Sequence, residues 1–332
     1  MNQNYIAPLL AVIVLFLIAY VGVEAAGLQI LFGIVIPYVA FVVFIVGFIY
    51  RIVNWAQSPV PFRIPSTCGQ QKSLPWVKHS VFENPSTMFG VIVRMALEIL
   101  CFRSLFRNTK AKITKGALFF YEMEIWLWLG AIVFHYCFFV VLFRHLRFFT
   151  EPVPFLVQLV EKLDGFIQLG LPGIMISGLL LLAAASYLLL RRLFIAQVKY
   201  VSLGSDYFPL FLIMGIAVTG ILMRYFTRID VTAAKALAMG LVTFRPTVPE
   251  GIGGVFYVHL FMVSTLMAYF PFSKLMHLGG IFFSPTRNLR GNSREIRHEN
   301  PWNYPVKVHT YEEYEEEFRD KMIEAGIPVE KE

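Results

Sequence analysis

The chain has 332 residues, of which 57% are hydrophobic and only 15% charged, with a formal net charge of +7. That composition excludes a soluble globular domain and a disordered segment, and it describes an integral membrane protein. The positive charge lies in the segments between apolar runs, where membrane topology places it, so it does not call for a nucleic-acid partner.

Six apolar runs of spanning length follow in order, at 5–24, 28–50, 118–147, 165–190, 207–226 and 254–279. The expected fold is an all-α integral membrane protein of six transmembrane helices, four of them forming a bundle. The N-terminus has no basic region and no small-residue cleavage site, so Ile6 onward reads as a first span and not as a signal peptide. The link from Val23 to Leu28 is short, which makes residues 1–50 a transmembrane hairpin.

Residues 51–117 form a long polar segment. It opens with the Pro-rich stretch Pro59–Trp76, which contains Cys68-Gly69-Gln70-Gln71. Met88, Ile92, Met95, Ile99 and Phe102 then recur near helical spacing, with Arg94, Glu98 and Arg103 between them. That pattern predicts an amphipathic surface helix, either lying on the membrane or serving as a partner platform. Residues 118–280 hold the remaining four spans. Span three follows Lys115-Gly116, span four ends at Arg191-Arg192, and span five opens at Asp206-Tyr207-Phe208-Pro209, with Pro209 in the first turn, where its missing N–H matters least. The tail, 281–332, carries the acidic run Tyr311–Glu317, which reads as a docking segment or as a solvated tail.

Of the 29 basic residues, 22 fall on one side of this arrangement and 7 on the other. The positive-inside rule makes the basic side cytoplasmic, with both termini there, in the cytoplasmic membrane. The three cysteines, Cys68, Cys101 and Cys137, form no C-x-x-C and no cluster-ligand run, so the chain is expected to carry neither an iron–sulfur cluster nor a covalently attached haem.

Four of the seven histidines sit in or at the ends of the apolar runs, His135 and His145 on span three, His259 and His277 on span six. An ionisable side chain at membrane depth is a functional-site hypothesis by default, and neutral imidazole is a good axial ligand for haem iron. Depth pairs His145 with His259 near the outer face and His135 with His277 towards the cytoplasm. The fit is imperfect on ideal helices: ten residues rise about 15 Å and eighteen about 27 Å, so a bend at Pro271 or helix tilt must absorb the difference. Arg144, Arg147, Arg224, Arg228 and Lys274 lie near these positions as candidate partners for haem propionates, or simply as interfacial anchors. Lys162 and Asp164, with Glu151, are the candidate polar groups for a quinol site at the outer face. Two other readings stay open on the residues alone. One is a proton-coupled transporter with a histidine relay, for which Glu122 and Glu124 would be the acidic members. The other is a cofactor-free membrane anchor subunit.

The segment Val258–His277, with its 18-residue histidine spacing and Pro-Phe before the second histidine, resembles the last helix of the respiratory nitrate reductase gamma-subunit family of di-haem cytochromes b. The 10-residue spacing on span three, the Asp-Tyr opening of span five and the run Thr219–Tyr225 are similar to that family too. The additional N-terminal span and the loop 59–76 resemble one branch more closely, the DsrM-type membrane subunit of the Dsr complexes of dissimilatory sulfur metabolism. The resemblance implies two haem b groups, with His135 and His277 holding the inner iron and His145 and His259 the outer iron. It also implies menaquinol as electron donor near the outer haem. The partner it implies is a cytoplasmic DsrK-like iron–sulfur subunit related to heterodisulfide reductase catalytic subunits, acting on a small protein that carries a cysteine trisulfide.

Overall fold

The computed structural model describes residues 4–58, 69–114, 118–167, 172–294 and 308–330. Among them six helices are long and apolar enough to cross a membrane: Ile6–Glu24, Leu31–Ala56, Ile125–Phe148, Ile176–Phe194, Gly204–Thr227 and Gly254–Phe272. These are spans one to six of an all-α, multi-pass membrane protein. A helix of 19 residues rises about 28 Å, close to the thickness of the hydrocarbon core.

Spans three, four, five and six pack in succession. Span one lies against spans five and six, and span two against span six. Small residues let the backbones approach. A Cβ on Gly130 of span three would fall 2.5 Å from the Tyr187 ring of span four, and one on Gly47 of span two would fall 2.9 Å from Pro271. At the end of span one, Glu24 Oε1 accepts from the Gly254 N–H at the start of span six at 2.8 Å, which ties these two helix ends together.

Three expected boundaries are corrected. Span three begins at Ile125 and not at 118, because Leu118–Met123 is a strand paired antiparallel with Thr109–Thr114. Aromatic and β-branched residues (Phe119, Phe120, Tyr121, Thr109) favour the pleated arrangement, and Lys110 stands opposite Glu122 at 3.5 Å. Span four begins at Ile176 and not at 165; upstream of it lies a separate helix, Phe155–Asp164, closed at Gly165, and Ile167 and Ile174 form an isolated bridge between the two helices. The helix of span six ends at Tyr269. Phe270–Phe272 forms a 3₁₀ turn around Pro271, Ser273 is extended with its Oγ accepting from Leu275 N, and two further short turns carry the chain past His277. Between spans five and six lies a further helix, Val231–Val242, N-capped by Asp230 and too short to cross a bilayer.

On the basic face the amphipathic helix runs Met88–Cys101, capped by Thr87 Oγ1, which accepts from Gly90 N. The acidic run of the tail is a helix, Tyr311–Glu324, with a capping box between Thr310 and Glu313. Cys68 and the rest of 59–68 lie outside the described residues.

Candidate functional site

Spans three and six face one another through their histidines. The His135 and His277 rings are 5.9 Å apart, centre to centre, with planes at 85°. The His145 and His259 rings are 6.4 Å apart, with planes at 15°. Neither pair makes a direct ring–ring hydrogen bond, and 6.4 Å between near-parallel rings leaves a gap rather than a stack. Transition-metal–imidazole bonds are about 2.0 Å long. A metal held between two facing imidazoles therefore separates the ring centres by about 6 Å once the ring radii are added. The break in span six explains how the second pair forms. His277 does not continue the helix that carries His259, so it does not sit the full helical rise away and comes level with His135 instead.

All four rings have Nδ1 engaged. His135 Nδ1 is 2.8 Å from Ala131 O, His145 Nδ1 is 2.6 Å from Val141 O and His277 Nδ1 is 2.8 Å from Lys274 O. A carbonyl can only accept, so these rings carry the proton on Nδ1 and leave the Nε2 lone pair free. His259 Nδ1 lies 2.9 Å from Thr219 Oγ1. The Thr219 hydroxyl donates to the Gly215 or Ile216 carbonyl, at 2.9 and 3.0 Å, so its oxygen accepts from His259. Fixing the tautomer through the far nitrogen is the ordinary support of a metal-bound histidine. Thr219 was legible only as part of a resembling run; its hydrogen bond depends on how spans five and six meet.

Around the His145–His259 pair the structure gathers charge. Arg144 Nε is 2.8 Å from Asp164 Oδ2, and Asp164 also accepts from Ser177 N at 2.7 Å and from Ser177 Oγ at 2.6 Å. Arg224 donates to Gly173 O at 3.1 Å and lies over the Tyr225 ring, while its Nε is buried without a hydrogen-bond partner. A buried guanidinium N–H with no acceptor beside a histidine pair fits the anionic edge of a bound group such as haem. Arg147 is paired with Glu161, and Lys274 with Asp206 at 2.7 Å. Arg228 is exposed, in left-handed backbone after span five. Lys162 is exposed, in the last turn of Phe155–Asp164. Asp164 from the same turn points inward and has both oxygens occupied. Glu151 reaches Lys235 of the helix Val231–Val242. The two carboxylates that a proton relay would use are also committed, Glu122 opposite Lys110 and Glu124 with Arg191 at 2.8 Å.

Residues 86–297 match the family model described as nitrate reductase gamma subunit. The chain is 45% identical to the Hdr-like menaquinol oxidoreductase cytochrome b-like subunit of Archaeoglobus fulgidus, over 82% of this chain and 83% of the relative. It is 41% identical to the protein of the same name from Archaeoglobus profundus, over 80% and 81% of the two chains. It is 31% identical to the respiratory nitrate reductase 1 gamma chain of Escherichia coli, over 32% of this chain and 50% of that one. The chain belongs to the nitrate reductase gamma-subunit family.

Proposed function

We propose that this member of the nitrate reductase gamma-subunit family is the di-haem cytochrome b subunit of a membrane complex that oxidises menaquinol and reduces a cytoplasmic iron–sulfur partner. The observation that carries the reading is the set of four histidines with Nδ1 held by an acceptor and Nε2 free, in facing pairs 5.9 and 6.4 Å apart. His135 and His277 would hold one haem b, and His145 and His259 the other. When bound, haem b supplies a reversible one-electron carrier, and two of them at different depths join the two faces of the bilayer electrically. Arg224 would compensate propionate charge at the second site, with Arg144 beside it held by Asp164.

With the basic face cytoplasmic, as the distribution of lysine and arginine argues, both termini are cytoplasmic and the His145–His259 pair lies near the outer face of the cytoplasmic membrane. The quinol site belongs at that end. Lys162 stands exposed at its rim as a hydrogen-bond partner, and Asp164 acts one step back by holding Arg144. The names of the two archaeal relatives, at 45% and 41% identity, support menaquinol as donor and an Hdr-like partner. The DsrK-like identity of the partner and the place in sulfur metabolism rest on the resemblance of the N-terminal span and the 59–76 loop. The chain's own contribution is to orient four ligands, to neutralise the anionic groups beside them and to present a basic face to the partner.

The test is reduction by a menaquinol analogue in membrane vesicles, followed by absorption in the haem α-band. Reduction that is slowed by Lys162→Ala with haem content unchanged supports the site as placed. Haem that dithionite reduces and quinol does not would overturn the donor assignment.

A further inference from the structure

The helix Met88–Cys101 is bound at a depth that a surface helix would not reach. Its last carbonyls are taken by side chains of span three: Tyr136 OH donates to Leu100 O at 2.9 Å and Trp128 Nε1 to Cys101 O at 2.8 Å. Tyr136 is 11 residues past Ile125, about 16 Å along the span, and Trp128 about 5 Å. The end of the helix therefore lies roughly 10 Å along span three from its first residue, beside the apolar part of that span. The chain reverses at Phe102, whose backbone is left-handed at φ 49°, and Phe102 packs edge-on against His135 at 5.0 Å. By Asn108 it is back at the start of span three, where Asn108 Nδ2 meets Glu124 Oε2 at 3.2 Å and Asn108 O accepts from Glu124 N at 3.0 Å. A segment that enters and leaves on the same face is re-entrant.

The two sides of the helix differ in the sense such a segment needs. Phe89, Ile92 and Leu100 are 76%, 60% and 57% exposed, whereas Arg94 and Glu98 are 3% and 5% exposed. The charged residues turn inward onto the chain that follows span six. Arg94 donates to Thr286 O at 3.0 Å, Glu98 pairs with Arg287 at 2.8 Å, and Ser104 N donates to Glu98 at 3.1 Å. Non-helical backbone at membrane depth is tolerated only where protein satisfies it, and the turn at Leu100–Ser104 is satisfied in that way by Tyr136, Trp128 and Glu98. Span three also exposes Leu129, Tyr136 and Phe139, and Tyr136 is the residue that bonds Leu100 O.

We propose that residues 88–107 form a re-entrant membrane element whose outward side, Phe89, Ile92 and Leu100, is covered by lipid acyl chains. The partner subunit is then confined to other parts of the basic face, and Phe102 screens the His135 end of the site from lipid. The inference needs only that the chain spans a membrane, so it stands or falls separately from the electron-transfer reading. The test replaces Ile92 or Leu100 by photoreactive p-benzoylphenylalanine in the full-length protein within its native complex and membranes. Val42 of span two serves as the lipid-facing reference and Trp76, in the polar segment before the helix, as the reference outside the bilayer. Irradiation is expected to give lipid adducts at 92 and 100 as at 42, none at 76, and no cross-link from 92 or 100 to another polypeptide. A cross-link to another subunit, or adducts at 42 alone, would overturn the proposal. Should those variants fail to accumulate, Ile92→Trp gives a second reading. Its added fluorescence over the parent protein is expected to be lost in lipids brominated along the acyl chain, and full emission there counts against the proposal.

Discussion

Asp164→Asn tests whether the Arg144–Asp164–Ser177 cluster is a structural clamp. The carboxylate is 5% exposed as a side chain and Arg144 14%, with 2.8 Å between them. Asparagine keeps the size and its Oδ1 can still accept from Ser177 N, but its Nδ2 replaces the oxygen that accepts from Arg144 and from Ser177 Oγ, so the change removes both the charge and those two acceptor contacts. Breaking one side of a buried ion pair costs about 3–5 kcal/mol, because the remaining charge stays buried and uncompensated. At about 1.4 kcal/mol per decade, the folded-to-unfolded ratio falls roughly a hundred- to four-thousand-fold. Removing both charges costs less than removing one, so Arg144→Gln with Asp164→Asn is expected to recover most of the loss. The assay is reversible unfolding in mixed micelles, read by circular dichroism, for the parent, both single variants and the double variant. A loss under about 1 kcal/mol in Asp164→Asn, the size of an exposed pair, would refute the clamp, as would a double variant no more stable than the single one.

Thr219→Val removes the acceptor of His259 Nδ1–H. A less basic imidazole stabilises ferric iron less, so one of two haem potentials is expected to rise while the other holds, with Thr219→Ser near the parent value; a spectroelectrochemical titration that moves both or neither contradicts this role. Glu83 gives a pH dependence. Burial alone would raise its carboxyl, but Arg107 and Arg103 beside it hold it below its ordinary value of 4.5. A depressed folded value means that the contribution to stability is complete above pH 4.5 and is lost as pH falls through the lower folded value. The protection of amides across 80–108, taken relative to their intrinsic exchange at each pH, is expected to fall in that window, and Glu83→Gln to abolish that fall. Deleting residues 64–76 is expected to release the partner subunit and leave the haem spectrum intact; continued stoichiometric co-purification would place the docking surface elsewhere.

The spans were legible because twenty apolar residues in a row have few other solutions, and the depths of His135, His145 and His259 follow from the spans. What composition could not show was where an apolar run stops being helix. Leu118–Met123 is apolar enough to extend span three, yet its pairing with Thr109–Thr114 is a contact across a turn that no single-segment pattern contains. Pro271 marked a disturbance in span six but not its form. The Ser273-capped turn is what lets a histidine 18 residues from its neighbour stand level with one only 10 residues from its own. The side-chain partners of the site were the least legible. Asp164 stood out as a charge near the membrane, but its direction, inward onto Arg144, depends on Phe155–Asp164 being a helix of its own. The helix Met88–Cys101 was visible by its period; its depth was not, because the residues that set it, Trp128 and Tyr136, are ordinary aromatics of another segment.

The central claim is that these two histidine pairs hold two haems. The most direct measurement is the haem content, by pyridine haemochrome, of the purified protein and of His135→Ala, His277→Ala, His145→Ala and His259→Ala, with the α-band of each recorded at low temperature. The account predicts two haem b per chain in the parent and one in each variant. His135→Ala and His277→Ala should share one missing component, and His145→Ala and His259→Ala the other. Haem absent from protein made with haem in supply, or the same component missing from His145→Ala and His277→Ala, would contradict it.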